Sequence, residues 1–196
     1  DVFVDDRFIG EHSFRVEPST DRWVLTTTAK FEVKILFFTA FRYDHSNIEV
    51  WDQAGLLRIE ASTDSNGTLY RVNGERVEDQ FSLNTQDGDR LLPGDVMTFA
   101  YWNPAILGAQ ELLNSQTGDV LQIQVEESGP DEVLYNDEPL QTIRYDIQME
   151  KGPISLWYGR DDQRWTALES VTDGGRRLRY VPRELPEAFN LQPLMD

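Results

Sequence analysis

The chain has 196 residues, of which 35 are acidic and 18 basic, giving a formal net charge of -17, and it contains no cysteine. The negative field repels nucleic-acid phosphates and anionic lipid head groups, so nucleic acid is disfavoured as a partner. The missing cysteines exclude disulfides and thiolate metal sites, and no apolar run reaches the about 18 residues of a transmembrane helix.

The first half of the chain alternates apolar and polar residues between turn-forming clusters, a pattern typical of antiparallel strands. Val2 to Val16 are predicted to form an opening hairpin or bent strand. Trp23 to Phe37 follow as a strand of 15 residues, against a usual length of roughly five or six. So long a strand must coil strongly, as it does around a barrel or half-barrel. Asn66-Gly67 is the strongest hairpin signal in the chain.

One short helix is predicted in the middle of the chain. Asn103 is a capping residue, Pro104 suits the first helical position, and apolar residues then recur on one face up to Asn114. A turn is predicted at Ser128 to Asp131, and strand patterns resume up to Val181. We therefore expect an all-β fold, a curved antiparallel sheet that forms a barrel or half-barrel around or beside the helix near residues 104–114.

The chain is predicted to fold as a single domain over residues 1–181, because no linker or repeat interrupts the strand patterns. Pro182, Pro186 and Pro193 make residues 182–196 a poor strand. This tail is predicted to run over the surface or to plug an end.

The strand Phe41 to Trp51 carries the main candidate site, because aromatic and polar side chains share one of its faces. That face presents Phe41, Tyr43, His45, Asn47, Glu49 and Trp51. If it points inward, His45 is a candidate general acid or base, with Glu49 or Tyr43 as its helper. The candidate ligand contacts on the same face are Tyr43, His45, Asn47 and Trp51.

His45 and Glu49 lie about 13 Å apart along an extended strand, too far for a hydrogen bond but suited to two ends of one ligand. The alternative interpretation is that the polar groups satisfy one another in a β core, or face solvent in the inverted register.

Three other groups are weaker candidates. Tyr101 and Trp102 are predicted ligand contacts at a pocket mouth, with plain core packing as the alternative. His12 is the only other histidine, and its spacing does not require it to meet His45, so no metal site is predicted. An arginine cluster could clamp an anion, although we favour pairing with neighbouring acids. Its members are Arg176, Arg177, Arg179 and Arg183.

Four segments resemble an uncharacterised bacterial protein family, and the similarity runs over nearly the whole chain. They are ILFFTAFRYDH at residues 35–45, FAYWNPAIL at 99–107, LLNSQTG at 112–118 and GGRRLRY at 174–180. Members are commonly exported with an N-terminal signal peptide. The resemblance thus implies a periplasmic or secreted protein whose signal peptide is removed, but it implies no activity.

Two further features of the resemblance bear on function. Members often carry a cysteine near the positions of Ala54-Gly55 and Asp95, so any role of such thiols is absent here. More loosely, the layout resembles periplasmic lipoprotein-carrier folds, in which a half-barrel shelters an apolar ligand beside a helix.

These observations give three functional hypotheses. The leading one is an exported, non-catalytic protein that binds an apolar or amphipathic small molecule, such as a lipid, in a β-barrel cavity. The second is an isomerase, lyase or hydrolase that uses His45 as its acid or base. The third is an interaction protein with a solid core. No cofactor is predicted, because the phosphate-binding, dinucleotide and nucleophile motifs are missing.

Overall fold

The computed structural model of the protein describes residues 1–35, 38–172 and 174–185. Most of these residues belong to strands. The strands are β1 Val2–Val4, β2 Arg7–Ser19, β3 Arg22–Ile35, β4 Phe38–Asp52, β5 Gly55–Ser65, β6 Thr68–Val77, β7 Gln80–Thr85, β8 Gly88–Pro93, β9 Glu111–Leu113, β10 Val120–Gln122, β11 Gln124–Tyr135, β12 Glu138–Gln148, β13 Ile154–Gly159, β14 Trp165–Val171 and β15 Arg177–Tyr180. The prediction of an all-β, antiparallel fold is confirmed.

Two compact units make up the described chain. Unit 1 comprises Asp1–Phe8, Ala100–Leu112 and the described residues from Leu121 onward, and unit 2 comprises Ile9–Phe99 and Leu113–Val120. The single domain over residues 1–181 stays a prediction. Of the predicted tail, residues 186–196 lie outside the described part of the chain.

Unit 2 is a meander in which each strand from β2 to β8 pairs with the next. The predicted hairpin at Asn66-Gly67 is present. Both residues have positive φ, 55° and 91°, and Ser65 pairs directly with Thr68 across the turn. Strands β5 to β7 contribute fully buried core side chains, which are Leu56, Ile59, Val72, Phe81 and Leu83.

The segment Leu113–Val120 packs against the later strands of unit 2. Gly118 has a φ of 82°, and a Cβ at this position would lie 2.4 Å from the Thr85 methyl group. Only glycine fits this close approach. Arg90 also donates a hydrogen bond to the Gly118 carbonyl, which ties the segment to β8.

Unit 1 contains a second antiparallel ladder, in the order β11, β12, β13, β14, β15, β1. The turn predicted at Ser128 to Asp131 is wrong, because these residues lie inside β11. The register shifts between Glu127 and Gly129, and Gly129 has a φ of 100°. The glycine therefore forms a β-bulge, which kinks the strand without reversing it.

The predicted helix begins where expected but is shorter. The Asn103 side chain accepts a hydrogen bond of 3.0 Å from the Ala105 amide and caps a 310 helix, Pro104–Gly108. Residues Glu111–Leu113 form β9, which pairs with β10. The Leu113 amide donates to the Met97 carbonyl at 2.8 Å, so strand-like pairing satisfies the backbone where the helix was expected to continue.

Candidate functional site

The predicted site strand, β4, buries its aromatic and polar face, which is the inward orientation that the sequence analysis left open. Its five buried residues are Tyr43, His45, Asn47, Glu49 and Trp51, and none of the residues between them is buried. Phe41 is the exception, because it is 37% exposed. It lies next to a register shift between β3 and β4, where the regular alternation is interrupted.

The strand register places the buried residues of β4 in rows that cross the sheet of unit 2. One row contains His12, Ala29, His45 and Thr63. Side chains in such a row share one face, so the small side chain of Ala29 separates the two histidines. The next row contains Phe14, Thr27, Asn47 and Ala61.

Glu49 is a buried carboxyl group held by three neutral donors. Asn47 Nδ2 donates to Oε1 at 2.9 Å, Trp51 Nε1 donates to Oε2 at 2.8 Å, and Thr98 Oγ1 donates to Oε2 at 3.2 Å. The side chain is 2% exposed. Burial raises the pKa of Glu49, and the three hydrogen bonds oppose that rise without cancelling it.

The hydrogen bond to Glu49 sets the orientation of the Asn47 amide. Because Nδ2 donates to the carboxyl group, Oδ1 points away from it, and Oδ1 has no hydrogen-bond partner among the described residues. Thr27 lies directly opposite Asn47 on β3, and its Oγ1 likewise has no partner in the described ranges. Both residues are 4% exposed. A cross-strand pair of buried polar side chains thus retains unused hydrogen-bonding capacity.

The hydrogen bonds around His45 fix its tautomer. Thr63 Oγ1 donates its only proton to the Gln116 carbonyl at 3.1 Å and lies 2.9 Å from His45 Nδ1. Nδ1 must therefore carry the proton that Thr63 accepts, and Nε2 carries the lone pair of the neutral ring.

Both histidines on this face are neutral near pH 7. Burial lowers the pKa of His45 to about 4, which Asp44 opposes only partly. Burial and the neighbouring His45 lower the pKa of His12 to about 3. An imidazole with so low a pKa is a weak base and is not protonated at neutral pH, which disfavours proton transfer by His45.

The structure does not join His45 to Glu49. His45 bonds to Thr63, whereas Glu49 bonds to Asn47, Trp51 and Thr98. Sequence reasoning missed Thr27, Thr63 and Thr98. Thr27 and Thr63 were recognisable as polar residues among the alternating buried positions of β3 and β5, but no local pattern marks Thr98.

The two remaining predicted ligand contacts, Tyr101 and Trp102, belong to unit 1. The Tyr101 ring lies 5.4 Å from the Trp165 ring, and its carbonyl accepts a hydrogen bond of 2.8 Å from the Tyr158 hydroxyl. Trp102 is buried. These contacts are typical of core packing, and the proposed role in ligand binding stays a prediction.

The arginine cluster pairs with acidic side chains of unit 1, as the favoured interpretation expected. The pairs are Arg176 with Asp5 at 2.7 Å, Arg177 with Glu169, Arg179 with Asp6 at 2.9 Å and Arg183 with Asp1 at 2.7 Å. Their charges are therefore largely compensated locally.

Other site classes find little support. The described residues contain no cluster of three or more histidine and acidic side chains placed to hold a metal ion. None of the helical segments in the described ranges has the length and hydropathy needed to cross a bilayer.

Unit 1 has a depression of about 350 Å³, which no sequence pattern indicated. Its lining residues are Gln122, Ile123, Gln124, Gln148 and Met149.

Comparison with solved structures shows a protein of the same fold. The chain is similar to a β-barrel-like protein of the domain of unknown function DUF1849 from Brucella abortus, with a TM-score of 0.66 and 12% identity. The similarity covers 96% of this chain and 95% of that one. It supports the predicted β-barrel-like fold and, at this identity, nothing about activity.

Comparison with characterised sequences is less informative, since no curated protein matches. A family model described as a domain of unknown function, DUF6134, matches residues 1–183. The predicted resemblance to an uncharacterised family is confirmed, and the chain belongs to the DUF6134 family.

Proposed function

We propose that this protein is an exported, non-catalytic binding protein that holds an amphipathic small molecule against the buried face of β3 and β4 in unit 2. The observation that carries the proposal is the cross-strand pair Thr27 and Asn47, whose buried oxygens are not used within the described chain. Buried polar groups in native proteins nearly always have a hydrogen-bond partner in the protein or in ordered water, so two such atoms in one pair mark a place where a polar group from outside the chain can bind.

Aromatic rings beside this pair supply apolar surface. Phe31 and Tyr43 occupy a row of the same sheet face, with ring centroids 5.2 Å apart in a stacked arrangement. The rings of His12 and Phe14 stack at 4.0 Å. A mostly apolar lining with a few oriented polar atoms is the composition typical of small-molecule sites.

Binding is favoured over catalysis because the titratable groups of this face are poorly suited to proton transfer. The lowered pKa of His45 leaves it neutral, and the Glu49 oxygens are occupied by three donors. His45 and Glu49 bond to separate partners, so they do not form the coupled acid and base that the enzyme hypothesis requires.

The periplasmic or secreted location is part of the same proposal and is supported by the sequence resemblance to a commonly exported family. Fractionation of the source cells, with an antibody against the protein, tests it. We expect the protein outside the cytoplasmic fraction. Recovery with the cytoplasmic proteins would contradict export while leaving the binding proposal intact.

Native mass spectrometry and thermal denaturation test binding. The purified chain is mixed with single-chain amphiphiles that differ in their polar group, and we expect at least one of them to add its mass and raise the Tm. Phe31→Ala should weaken this binding, because it removes a ring from the proposed face. Phe8→Ala changes an exposed ring in unit 1 and is the control, which should bind the amphiphile as the unchanged protein does. Absence of both mass addition and Tm shift for every amphiphile would overturn the proposal.

A further inference from the structure

We propose that the polar group of the ligand is a single uncharged hydroxyl, held between Thr27 and Asn47. The ligand class is then an apolar molecule that ends in an alcohol. This inference rests on the proposed function, because it specifies the chemistry of the molecule bound at the same face.

The two residues are placed to share one ligand group. They form a directly opposed pair on β3 and β4, for which Cβ atoms lie about 4.5–5.5 Å apart. Both side chains are 4% exposed, and neither Thr27 Oγ1 nor Asn47 Oδ1 has a hydrogen-bond partner in the part of the chain that the structure describes. A small polar group within hydrogen-bond reach of both atoms would satisfy both.

The hydrogen-bonding types of the two atoms favour a hydroxyl. Asn47 Oδ1 only accepts, because the donor side of that amide is committed to Glu49. The Thr27 hydroxyl can donate. A ligand hydroxyl donates its one proton to Asn47 and accepts the proton of Thr27, so both buried oxygens gain a partner. A carboxylate has no proton to give to Asn47, and an ammonium has no lone pair to accept the proton of Thr27.

The charge of the surroundings also favours a neutral group. On this face, the neighbours of Thr27 and Asn47 are the residues two positions before and after each of them. They are Leu25, Ala29, His45 and Glu49. None of them is a lysine or arginine, and His45 is neutral at pH 7 because of its burial. A carboxylate or phosphate would lose its hydration here without a cation among these four residues to offset the loss.

An ammonium group is disfavoured for a related reason. The only acidic side chain among these neighbours is Glu49, whose pKa burial raises and whose oxygens already accept three hydrogen bonds. A buried ammonium therefore finds no carboxylate oxygen among these neighbours that is free of other hydrogen bonds. An alcohol avoids this cost, since it brings no charge into the site.

Four ten-carbon probes test the inference with the full chain: 1-decanol, decanoate, decylamine and decane. Titration followed by native mass spectrometry and Tm should give a Kd for decanol at least about tenfold below those of the other three, since a site built for a hydroxyl rejects analogues that lack it. Equal binding of decane or decanoate would overturn the hydroxyl assignment while the proposed function stands. No binding of any probe would overturn both.

Thr27→Val is the decisive variant, because valine keeps the shape of threonine and removes only the hydroxyl. The variant should fold with an equal or higher Tm, since the lost group bonds to nothing in the described ranges. We expect decanol binding to weaken about tenfold or more, with decane binding unchanged.

Thr142→Val is the matched control. Thr142 is 0% exposed, and its Oγ1 also has no partner within the described residues, but it lies in unit 1. The control should match Thr27→Val in stability and should keep the decanol affinity of the unchanged protein. If both variants bind decanol equally well, Thr27 does not hold the ligand and the inference is wrong.

Discussion

Two carboxyl groups of this protein accept a similar number of hydrogen bonds but differ in the direction of their pKa. Glu49 in unit 2 accepts from Asn47, Trp51 and Thr98, and burial raises its pKa. Asp146 in unit 1 accepts from other partners, and its pKa is lowered. Those partners are Ser128 at 2.6 Å, Ser155 at 2.5 Å and Arg144 at 2.9 Å.

The difference comes from burial and from the presence of a cation. Burial by itself would raise the pKa of Asp146 as well, but the two serine hydrogen bonds and the guanidinium of Arg144 outweigh it. Glu49 is more deeply buried and has only neutral donors. The number of hydrogen bonds alone therefore does not fix the charge of a carboxyl group inside a sheet.

The largest difference in stability is expected between the variants that remove one or the other carboxyl group. Glu49→Ala leaves three buried donors without their acceptor and opens a cavity, so we expect a loss of about 3–5 kcal/mol in the free energy of unfolding. Asp146→Ala, at a partly exposed ion pair, should cost about 1 kcal/mol or less. Denaturant unfolding of both variants checks this, and equal losses would contradict the comparison.

The pH dependence of the free energy of unfolding should come mainly from the neutral histidines of unit 2. The pKa of His45 falls from 6.5 to about 4 on folding, so the unfolded chain binds more protons between these pH values and stability decreases as pH is lowered through that window. The slope for one such histidine is about 1.4 kcal/mol per pH unit. His45→Gln should flatten the unfolding free energy between about pH 4.5 and 6.5. An unchanged slope would show that His45 is not buried as a neutral ring.

The two carboxyl groups should act differently in the same titration. The raised pKa of Glu49 makes its contribution largest at low pH and smaller as pH increases, so it opposes the histidine effect. The lowered pKa of Asp146 adds stability that is lost only as pH falls below its unfolded value of 3.8. Glu49→Gln should therefore steepen the slope that His45→Gln flattens.

Loss of a single hydrogen-bond donor to Glu49 or to Asp146 should change stability by smaller amounts that still differ between the two carboxyl groups. Thr98→Val removes one buried hydrogen bond to Glu49 and preserves the side-chain shape, and we expect a cost of about 1–2 kcal/mol. The midpoint and slope of a urea unfolding curve provide the measurement. No loss of stability would mean that Asn47 and Trp51 alone satisfy the carboxyl group.

The smallest effect is expected for the corresponding change at Asp146. Ser128→Ala removes an exposed donor that water can replace, so the free energy of unfolding should change by about 0.5 kcal/mol or less. The same urea measurement applies. A loss as large as that of Thr98→Val would contradict the distinction between the fully buried carboxyl group of Glu49 and the half-buried one of Asp146.

Local patterns were sufficient to predict most of the strands and the two alternating faces of β4, but they left open which of the two faces is buried. Tyr43, His45 and Asn47 share one face because a strand places alternate residues on the same side, and the structure shows that this face is buried. The Asn66-Gly67 turn and the Asn103 cap were equally local. The helix length was wrong because Leu113 pairs with Met97, a contact that no periodicity in residues 104–114 encodes.

The chemistry of the site could be predicted only in part, because Asn47 and Trp51 lie two residues from Glu49 but the other hydrogen-bond partners come from distant positions. Thr98 is 49 residues from Glu49, and Gln116 is 53 residues from Thr63. Only the contact between Thr63 and Gln116 reveals that Nδ1 of His45 carries the proton. The alternation identified the residues, but the tertiary fold determined which atoms remain available.

The hydrogen bond from the Trp51 indole to Glu49 gives the protein a built-in optical probe. Indole emission responds to the charge beside the ring, so the fluorescence of Trp51 should change when the carboxyl group gains or loses its proton. The difference between the spectra of the unchanged protein and Trp51→Phe isolates this signal from the other tryptophans. Ionisation of a group hidden from solvent thus becomes visible without any label.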